Sequence, residues 1–364
     1  MSKRKSKNGI FAAVGAATGL GNAFRFPALC VKYGAPFFAA YAFVLAFVSF
    51  PLLIAELSFG RRNLSGKGAK VWGVIMCAAA ANSALIALYY GVIAANLGCA
   101  SINFALFGGQ RADFPPLFFA VLAAVLVAVY ALIKGAPRSL SASGRASVTL
   151  SLALFCPLAV AGAVRGGAFS SFNFAAFAGA EIWIDALGQS LLSLSLAAGV
   201  MPAYAKTLKK GEPSARAAFK IVAANFMACM LATLSVLPFS VTFSRTVGVN
   251  CAINAYSQVI SALFGGGLAA RFFGAALFAA LTVVAVHSLA SLAYPALNKA
   301  AEKTRRAPAI FCIAALCLAP LFSCNDMFIL SVCDKIACSV NAVAIAVTEC
   351  LFFLSRRHIT GGIA

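Results

Sequence analysis

The sequence predicts an all-α polytopic membrane protein with ten transmembrane helices, arranged as a 5+5 inverted repeat with broken first and sixth helices. Three features predict this fold class: repeated apolar runs, basic residues concentrated in alternating loops, and polar interruptions at matching places in two halves. Of the 364 residues, 62% are hydrophobic and 10% are charged, with a mean hydropathy of +0.94. A soluble domain of this size cannot bury so large an apolar share.

Apolar runs of about 18 residues or more are typical of transmembrane helices. The basic residues 1–8 precede a run that is too long and too rich in glycine for a cleaved signal peptide, so we interpret them as a cytoplasmic N-terminus. The predicted spans lie near residues 9–29, 36–59, 71–108, 116–133, 147–164, 182–205, 217–243, 268–297, 307–323 and 328–354.

The net charge of +20 is distributed unevenly. Alternating loops on one side of the predicted bundle hold 22 of the 29 Lys and Arg residues. This positive-inside pattern predicts a multi-pass protein of the plasma (inner) membrane with both termini in the cytoplasm. We therefore expect the basic residues to set the orientation of the protein in the lipid bilayer and not to bind nucleic acid. The sequence leaves the oligomeric state open.

Cysteine and histidine are placed in a way that argues against a metal centre or an active site. The twelve cysteines include no CxxC pair and there are only two histidines, so no structural metal is expected. No nucleophile–base pair and no phosphate-binding loop stand out. We predict that the chain is not an enzyme and holds no organic cofactor.

Two of the predicted spans are interrupted at the depth of the bilayer. The first carries GAATGLGN at residues 15–22, and the sixth carries SLSLAAGVMP at residues 193–202. Irregular backbone survives in a membrane only where it faces protein or a cavity, and breaks at matching places in two halves indicate a midplane binding site. Free amides at such breaks suit a carboxylate and free carbonyls suit a cation. The alternative is that the glycines only allow close helix packing.

The halves implied by these breaks are residues 9–165 and residues 166–354, followed by a cytoplasmic tail at residues 355–364. Each half would contain five spans. Because five is an odd number, the halves would cross the membrane in opposite directions, which makes the repeat inverted. This division rests on the position of the breaks alone.

Several motifs resemble those of the neurotransmitter:sodium symporter family. They are GAATGLGNAFRFP with the following GAPFFAAYAFVLAFVSFPLLIAELSFGRR, then ALYYGV, GQSLLSLSLAAG, NFMACMLATLSVLP and AVHSLAS. The resemblance spans roughly residues 9–354 and is to the bacterial amino acid transporter branch with the leucine-transporter fold. Family members commonly have twelve helices, so this chain would be a short, ten-helix member.

The resemblance implies an amino acid site between the two breaks. The amides of Leu20 and Gly21 and the hydroxyl of Tyr90 would hold a substrate carboxylate. Gly19 stands where monoamine carriers of the family have an aspartate, so the substrate should bring its own carboxylate. Leu192 and Ala198 replace bulkier residues, which favours a larger apolar or aromatic side chain. The full implied set is Ala17, Gly19, Leu20, Gly21, Ile86, Tyr90, Leu192, Ser195, Ala198, Ser288 and Leu292.

Two sodium sites are also implied by the resemblance. All members of the first are hard oxygen donors, which suit an alkali cation; they are Ala17, Asn22, Ser193 and Asn225. The second would use Gly15, Thr18, Val284 and Ser288, but His287 stands where the family has a threonine. Histidine is a poor sodium ligand and titrates near neutral pH. His287 either couples transport to protons or to a single sodium, or is a neutral, hydrogen-bonded histidine without that consequence.

Gates and a support complete what the resemblance implies. Arg25 and Asp334 would close the outer gate with Gln189 beside them, unless Asp334 is an ordinary loop carboxylate. Glu302 would contribute to the inner gate. Glu56 lies within the second span, where a carboxylate is costly unless it is hydrogen-bonded, and it would hold backbone amides at the break of the sixth helix.

The function that these features predict is a cation-coupled symporter that imports an amino acid, neutral and apolar or aromatic, by alternating access. The coupled ion would be sodium, with one or two ions per cycle. The alternative is a non-transporting amino acid sensor or a degenerate homologue, because the second sodium site is altered and the chain is short.

Overall fold

The computed structural model describes residues 9–62, 64–109, 115–165, 177–209, 211–239, 249–323 and 328–357. Within these ranges the chain forms helices joined by short turns, with no β-strand. Each predicted span coincides with one helix or with two or three consecutive helices. The prediction of an all-α polytopic fold is therefore confirmed.

The spans begin and end as follows. The first comprises α1 (Gly9–Ala17), α2 (Leu20–Ala23) and α3 (Arg25–Tyr33), and the second comprises α4 (Ala35–Val44) and α5 (Phe50–Arg61), joined by the π-helical turn Leu45–Ser49. The third, fourth and fifth are α6 (Gly66–Phe107), α7 (Pro115–Lys134) and α8 (Arg138–Arg165). The sixth comprises α9 (Ala180–Ser193) and α10 (Val200–Ala205), and the seventh is α11 (Ser214–Leu234) with the 3₁₀ turn Leu237–Phe239. After α12 (Val249–Phe264), the last three are α13 (Gly267–Lys303), α14 (Ala307–Ser323), and α15 (Phe328–Lys335) with α16 (Ala342–Arg357), the latter two joined by the π-helical turn Ile336–Asn341.

Length separates the broken spans from the others. Seven helical segments of the described chain are long and apolar enough to cross a membrane without interruption. The first and sixth spans are divided, and the ninth is a 17-residue helix. Each piece of an interrupted helix is shorter than the roughly 20 residues that a bilayer requires. The breaks therefore explain why the first and sixth spans are not among the seven long segments.

The break in the sixth span is held by side chains from other spans. Ser195 and Ala197 adopt positive φ angles of 52° and 54°, a left-handed conformation that costs free energy in residues other than glycine. The Ala197 amide donates a hydrogen bond of 2.8 Å to Oε1 of the buried Glu56. Glu56 therefore contacts the break, and its hydrogen bond offsets part of the cost of the left-handed backbone.

The first and sixth spans each pack against two further spans. The third and eighth spans, α6 and α13, pack along each other at the centre of the bundle. The first span packs on the seventh and the fifth. The sixth span packs on the second and the tenth. If the two halves correspond, the second span is the counterpart of the seventh and the tenth is the counterpart of the fifth. The division of the chain into two five-helix repeats stays a prediction.

One helix, α12, lies outside the ten predicted spans. Its 16 residues bury one stripe, at Ala255, Tyr256, Val259 and Ile260. The Tyr256 hydroxyl donates a 2.9 Å hydrogen bond to the carbonyl of Ala23, at the junction of α2 and α3. The spacing of the stripe indicates an amphipathic helix. Its 16 residues are fewer than the about 18 apolar residues that predict a transmembrane span.

Candidate functional site

A small cavity lies where the two broken helices meet α6 and α13. Its free space is about that of a single water molecule. An apolar or aromatic amino acid therefore enters only if lining side chains move. The lining residues come from the first, third, sixth and eighth spans and are Ala16, Gly19, Leu20, Gly21, Tyr90, Leu192, Ser193, Ser195, Ser288 and Leu292.

Eight of the eleven residues predicted for the substrate site line this cavity, namely Gly19, Leu20, Gly21, Tyr90, Leu192, Ser195, Ser288 and Leu292. Ala17, Ile86 and Ala198 are buried but do not line it. The Ala17 carbonyl accepts a hydrogen bond from Asn22, and its neighbour Ala16 lines the cavity instead. Ile86 lies a helical turn before Tyr90, and Ala198 follows the left-handed turn at Ala197.

Polar backbone groups of the first span face the cavity. The Leu20 amide donates a 3.4 Å hydrogen bond to Oγ of Ser288. A Cβ atom at Gly19 would collide with that same hydroxyl oxygen. Glycine at position 19 thus allows Ser288 to reach the Leu20 amide, which is the group predicted to hold a substrate carboxylate.

The four residues predicted for the first sodium site form one buried cluster. Nδ2 of Asn22 donates to the Ala17 carbonyl at 2.9 Å and to Oδ1 of Asn225 at 3.0 Å. Nδ2 of Asn225 donates to the Tyr41 hydroxyl at 2.7 Å, and that hydroxyl lies 3.1 Å from Oγ of Ser193. Tyr41 was not predicted, because an aromatic residue in an apolar run resembles ordinary packing.

One atom of this cluster indicates a cation ligand. Oδ1 of Asn22 is buried and has no hydrogen-bond partner. The oxygen and nitrogen of an amide are assigned from their contacts, and the opposite orientation would turn Oδ1 toward the Ala17 carbonyl and Oδ1 of Asn225. Three oxygen atoms would then converge. The residues present fit a small alkali cation, which they could hold through oxygen alone.

The second predicted sodium site is not assembled in the same way. The imidazole of the buried His287 lies beside Gly15, where a Cβ atom would be 2.6 Å from its Nε2. Nδ1 is 2.8 Å from Oγ of Ser143, and Nε2 is 3.4 Å from Oγ of Ser291. The ring occupies the space next to Gly15 and brings nitrogen where oxygen was expected.

Of the other members of that second set, Ser288 is engaged elsewhere and Thr18 is not. The hydroxyl oxygen of Ser288 accepts the hydrogen bond from the Leu20 amide. Oγ1 of Thr18 is buried without a hydrogen-bond partner, and Val284 is buried. The imidazole therefore occupies the position of one predicted hydroxyl ligand, and the second sodium site stays a prediction.

The three residues predicted for the outer gate, Arg25, Asp334 and Gln189, are not joined to one another by an ion pair or a hydrogen bond among the contacts that the structure describes. Arg25 and Asp334 are close enough to interact electrostatically, but the described residues show no ion pair between them within 4 Å. Asp334 accepts a 2.9 Å hydrogen bond from the Tyr89 hydroxyl, and Nε2 of Gln189 donates to the Gly21 carbonyl at 3.2 Å. The predicted ion pair between Arg25 and Asp334 is therefore not observed in the described part of the chain. The side chain of Glu302 lies outside the described residues.

A salt bridge between α3 and α9 connects the two broken spans. Nζ of Lys32, in α3, lies 3.0 Å from Oδ2 of Asp185, in α9, and 3.7 Å from Oε2 of Glu181. The Tyr33 hydroxyl donates to the same Asp185 oxygen at 2.7 Å. Exposed ion pairs contribute at most about 1 kcal/mol, so this contact orients the outer halves of the two spans more than it stabilises the fold.

Comparisons with known proteins agree with this architecture. Residues 3–104 match the model of the sodium:neurotransmitter symporter family. The chain is 27% identical over 328 residues to YhdH of Bacillus subtilis (strain 168), an uncharacterized sodium-dependent transporter, which covers 82% of this chain and 72% of that protein. It is 24% identical over 377 residues to an uncharacterized sodium-dependent transporter of Methanocaldococcus jannaschii, covering 90% and 76%.

A shorter sequence match and a match to a solved structure extend the comparison. Over 92 residues, 23% of this chain and 12% of the relative, the chain is 39% identical to the sodium-dependent neutral amino acid transporter B(0)AT2 of Rattus norvegicus. The fold matches the crystal structure of MhsT in complex with L-phenylalanine, with a TM-score of 0.82 and 22% identity, over 98% of this chain and 93% of that one. The predicted resemblance and fold are confirmed, and the matching proteins are transporters and not enzymes.

Proposed function

Because residues 3–104 match the sodium:neurotransmitter symporter family model and most of the chain is similar to sodium-dependent transporters, we propose that it imports an amino acid across the plasma (inner) membrane together with sodium, by alternating access. The observation that carries this proposal is the oxygen-rich cluster around Asn22, placed directly beside the cavity between the broken helices. A cation bound there lies next to the position of a substrate carboxylate. Charge neutralisation between the two would couple their binding.

The substrate class follows from the cavity. Its lining contains no ionisable side chain other than the Tyr90 hydroxyl, and Gly19 brings no carboxylate. An amino acid supplies its own carboxylate for the amides of Leu20 and Gly21, and Leu192 and Leu292 offer it apolar contacts. The phenylalanine in the MhsT structure and the neutral amino acid in the name of B(0)AT2 support a neutral apolar or aromatic substrate.

The cycle that we propose uses two five-helix repeats, residues 9–165 and 166–354, with both termini in the cytoplasm. The matching contacts of the first and sixth spans support the repeat. The broken spans would move against the α6–α13 pair, so that the cavity faces each side of the membrane in turn. Opening moves the lining side chains and thereby gives the substrate the room that the cavity lacks.

Transport by the purified full chain in liposomes tests the proposal. We expect labelled neutral amino acids to accumulate when an inward sodium gradient is imposed, and uptake to stop when the gradient is dissipated. Saturable binding without accumulation would instead support an amino acid sensor, the alternative that the unassembled second ion site favours. Equal uptake with and without sodium would contradict sodium coupling.

We propose that a single sodium ion is coupled, with His287 in the place of a second. Replacing His287 with threonine should make the sodium dependence of uptake steeper, because it restores a hydroxyl ligand and frees the space beside Gly15. The measurement is the Hill coefficient for sodium, which should rise from about one toward two. A proton gradient that drives uptake by the wild type and not by the variant would assign the proton to the imidazole.

Ser143→Ala is the matched control, since it removes a hydrogen-bond partner of the ring but leaves the imidazole in position. Its sodium dependence should remain like that of the wild type. If the His287→Thr variant leaves both the sodium and the pH dependence of uptake unchanged, His287 has no part in ion coupling.

A further inference from the structure

Two glutamates meet inside the bundle, away from the cavity. Glu56 in α5 and Glu349 in α16 are both fully buried, and their side chains lie within hydrogen-bonding reach of each other. Both carboxyl oxygens of Glu349 lack a hydrogen-bond donor, as does Oε2 of Glu56. Two ionised carboxylates in this arrangement have acceptors on both sides and nothing between them to donate.

The surroundings of the pair do not supply a compensating charge. In the ranges that the structure covers, no basic side chain forms an ion pair with either glutamate. The thiol of Cys350, which follows Glu349 in α16, is a further titratable group close enough to interact with the pair. Of the helices packed against α5, α10 and α11 bring no charged group to the pair, and the backbone amide of Ala197 is the donor that reaches it.

A buried pair of like charges in contact is strongly unfavourable, and neutralising one member removes the repulsion. A single proton also provides the missing donor, since a protonated Glu349 can donate to the Glu56 carboxylate. Glu56 then keeps its other oxygen as acceptor for the Ala197 amide at 2.8 Å. One proton thus gives a hydrogen-bond partner to one oxygen of each glutamate and leaves the Ala197 hydrogen bond in place.

We propose that Glu56 and Glu349 form a proton-binding site that holds one proton and secures the break of the sixth span. A hydronium ion gives its proton to an oxygen of Glu349, so that one O–H bond breaks in the hydronium ion, one forms on the carboxyl group, and a water molecule is released. Removing it places two negative charges beside the break, and adding a second proton takes away the charge that Glu56 offers to the Ala197 amide. The site is separate from His287 and does not depend on the proposed transport function.

Infrared spectroscopy of the purified full chain tests this directly, because a protonated carboxyl group has a carbonyl stretch distinct from that of a carboxylate. We expect the band of a buried protonated carboxyl in the wild type at neutral pH, shifted by exchange into heavy water. It should be lost in Glu349→Gln, whose amide can still donate to Glu56 and preserve the fold. Glu212→Gln, which changes a glutamate of the surface pair with Lys220, should keep the band.

Two outcomes would overturn the proposal. The first is a wild type without a protonated-carboxyl band at neutral pH, and the second is an unchanged band in a folded Glu349→Gln protein. His287→Gln should retain the band, which separates this site from the imidazole. Because the readout requires no substrate and no gradient, a protein that fails to transport can still confirm or refute the proton site.

Discussion

Replacing Asn22 with alanine should raise the sodium concentration for half-maximal uptake at least about tenfold, if uptake remains measurable. The variant loses a predicted sodium ligand and the hydrogen bonds that Nδ2 makes to Ala17 and Asn225. A hydrogen bond or ligand contact to a charged group is worth about 1.5–3 kcal/mol, and about 1.4 kcal/mol corresponds to a factor of ten in affinity. The measurement is uptake of labelled substrate in liposomes over a series of sodium concentrations.

The control for this variant is Asn103→Ala. Asn103 is another buried asparagine with an unpartnered Oδ1, but it lies near the C-terminal end of α6 and does not line the cavity. Its replacement should leave the sodium dependence unchanged. If both variants shift the sodium dependence equally, or if folded Asn22→Ala protein responds to sodium like the wild type, the cluster around Asn22 is not the sodium site.

The broken helices and the cluster around Asn22 could be predicted because their signals are local. Glycines and polar residues inside an apolar run are readable from a short segment, and the family motifs place Asn22 and Asn225 at positions that the fold brings within hydrogen-bond distance. The same reasoning found most of the cavity lining. It missed Ala16, because which carbonyl or side chain faces a cavity depends on how far the helix has unwound.

Contacts between distant segments account for the features that the sequence did not reveal. Tyr41 joins Ser193 and Asn225 only after the second, sixth and seventh spans have packed. His287 could be identified in the sequence, but its partners Ser143 and Ser291 depend on the packing and turn of the fifth and eighth spans. Alignment to the family motif predicts that His287 occupies this position, but it does not predict which neighbouring groups the imidazole contacts.

Glu349 is a different case, because its signal was present in the sequence. An acidic residue in the middle of an apolar span is a functional candidate by itself. Its importance becomes visible only beside Glu56, in a span of the other half of the chain. A support for the break, as predicted for Glu56 alone, thus becomes a pair of carboxyl groups with a proton to share.

Gly144→Ala should lower the melting temperature of the protein by several degrees. A Cβ atom at Gly144 would collide with the carbonyl oxygen of Phe11 in α1 and come within 3.0 Å of its carbonyl carbon. Backbone cannot rotate away as a side chain can, so α1 must move off α8, which is one of its main packing partners. Overpacking of this kind costs typically about 1–3 kcal/mol.

The consequence extends to function because the same contact positions His287, whose Cε1 would lie 3.2 Å from the added methyl group. Displacement of α1 from α8 should therefore reduce uptake even below the melting temperature of the variant. Gly73→Ala is the matched control: nothing lies within 4 Å of the added atom, and alanine is favoured over glycine in a helix by about 1 kcal/mol. Its melting temperature should stay the same or rise. A Gly144→Ala protein as stable and active as Gly73→Ala would mean that α1 and α8 can separate without cost, and the close contact of the first and fifth spans would then not constrain the broken helix.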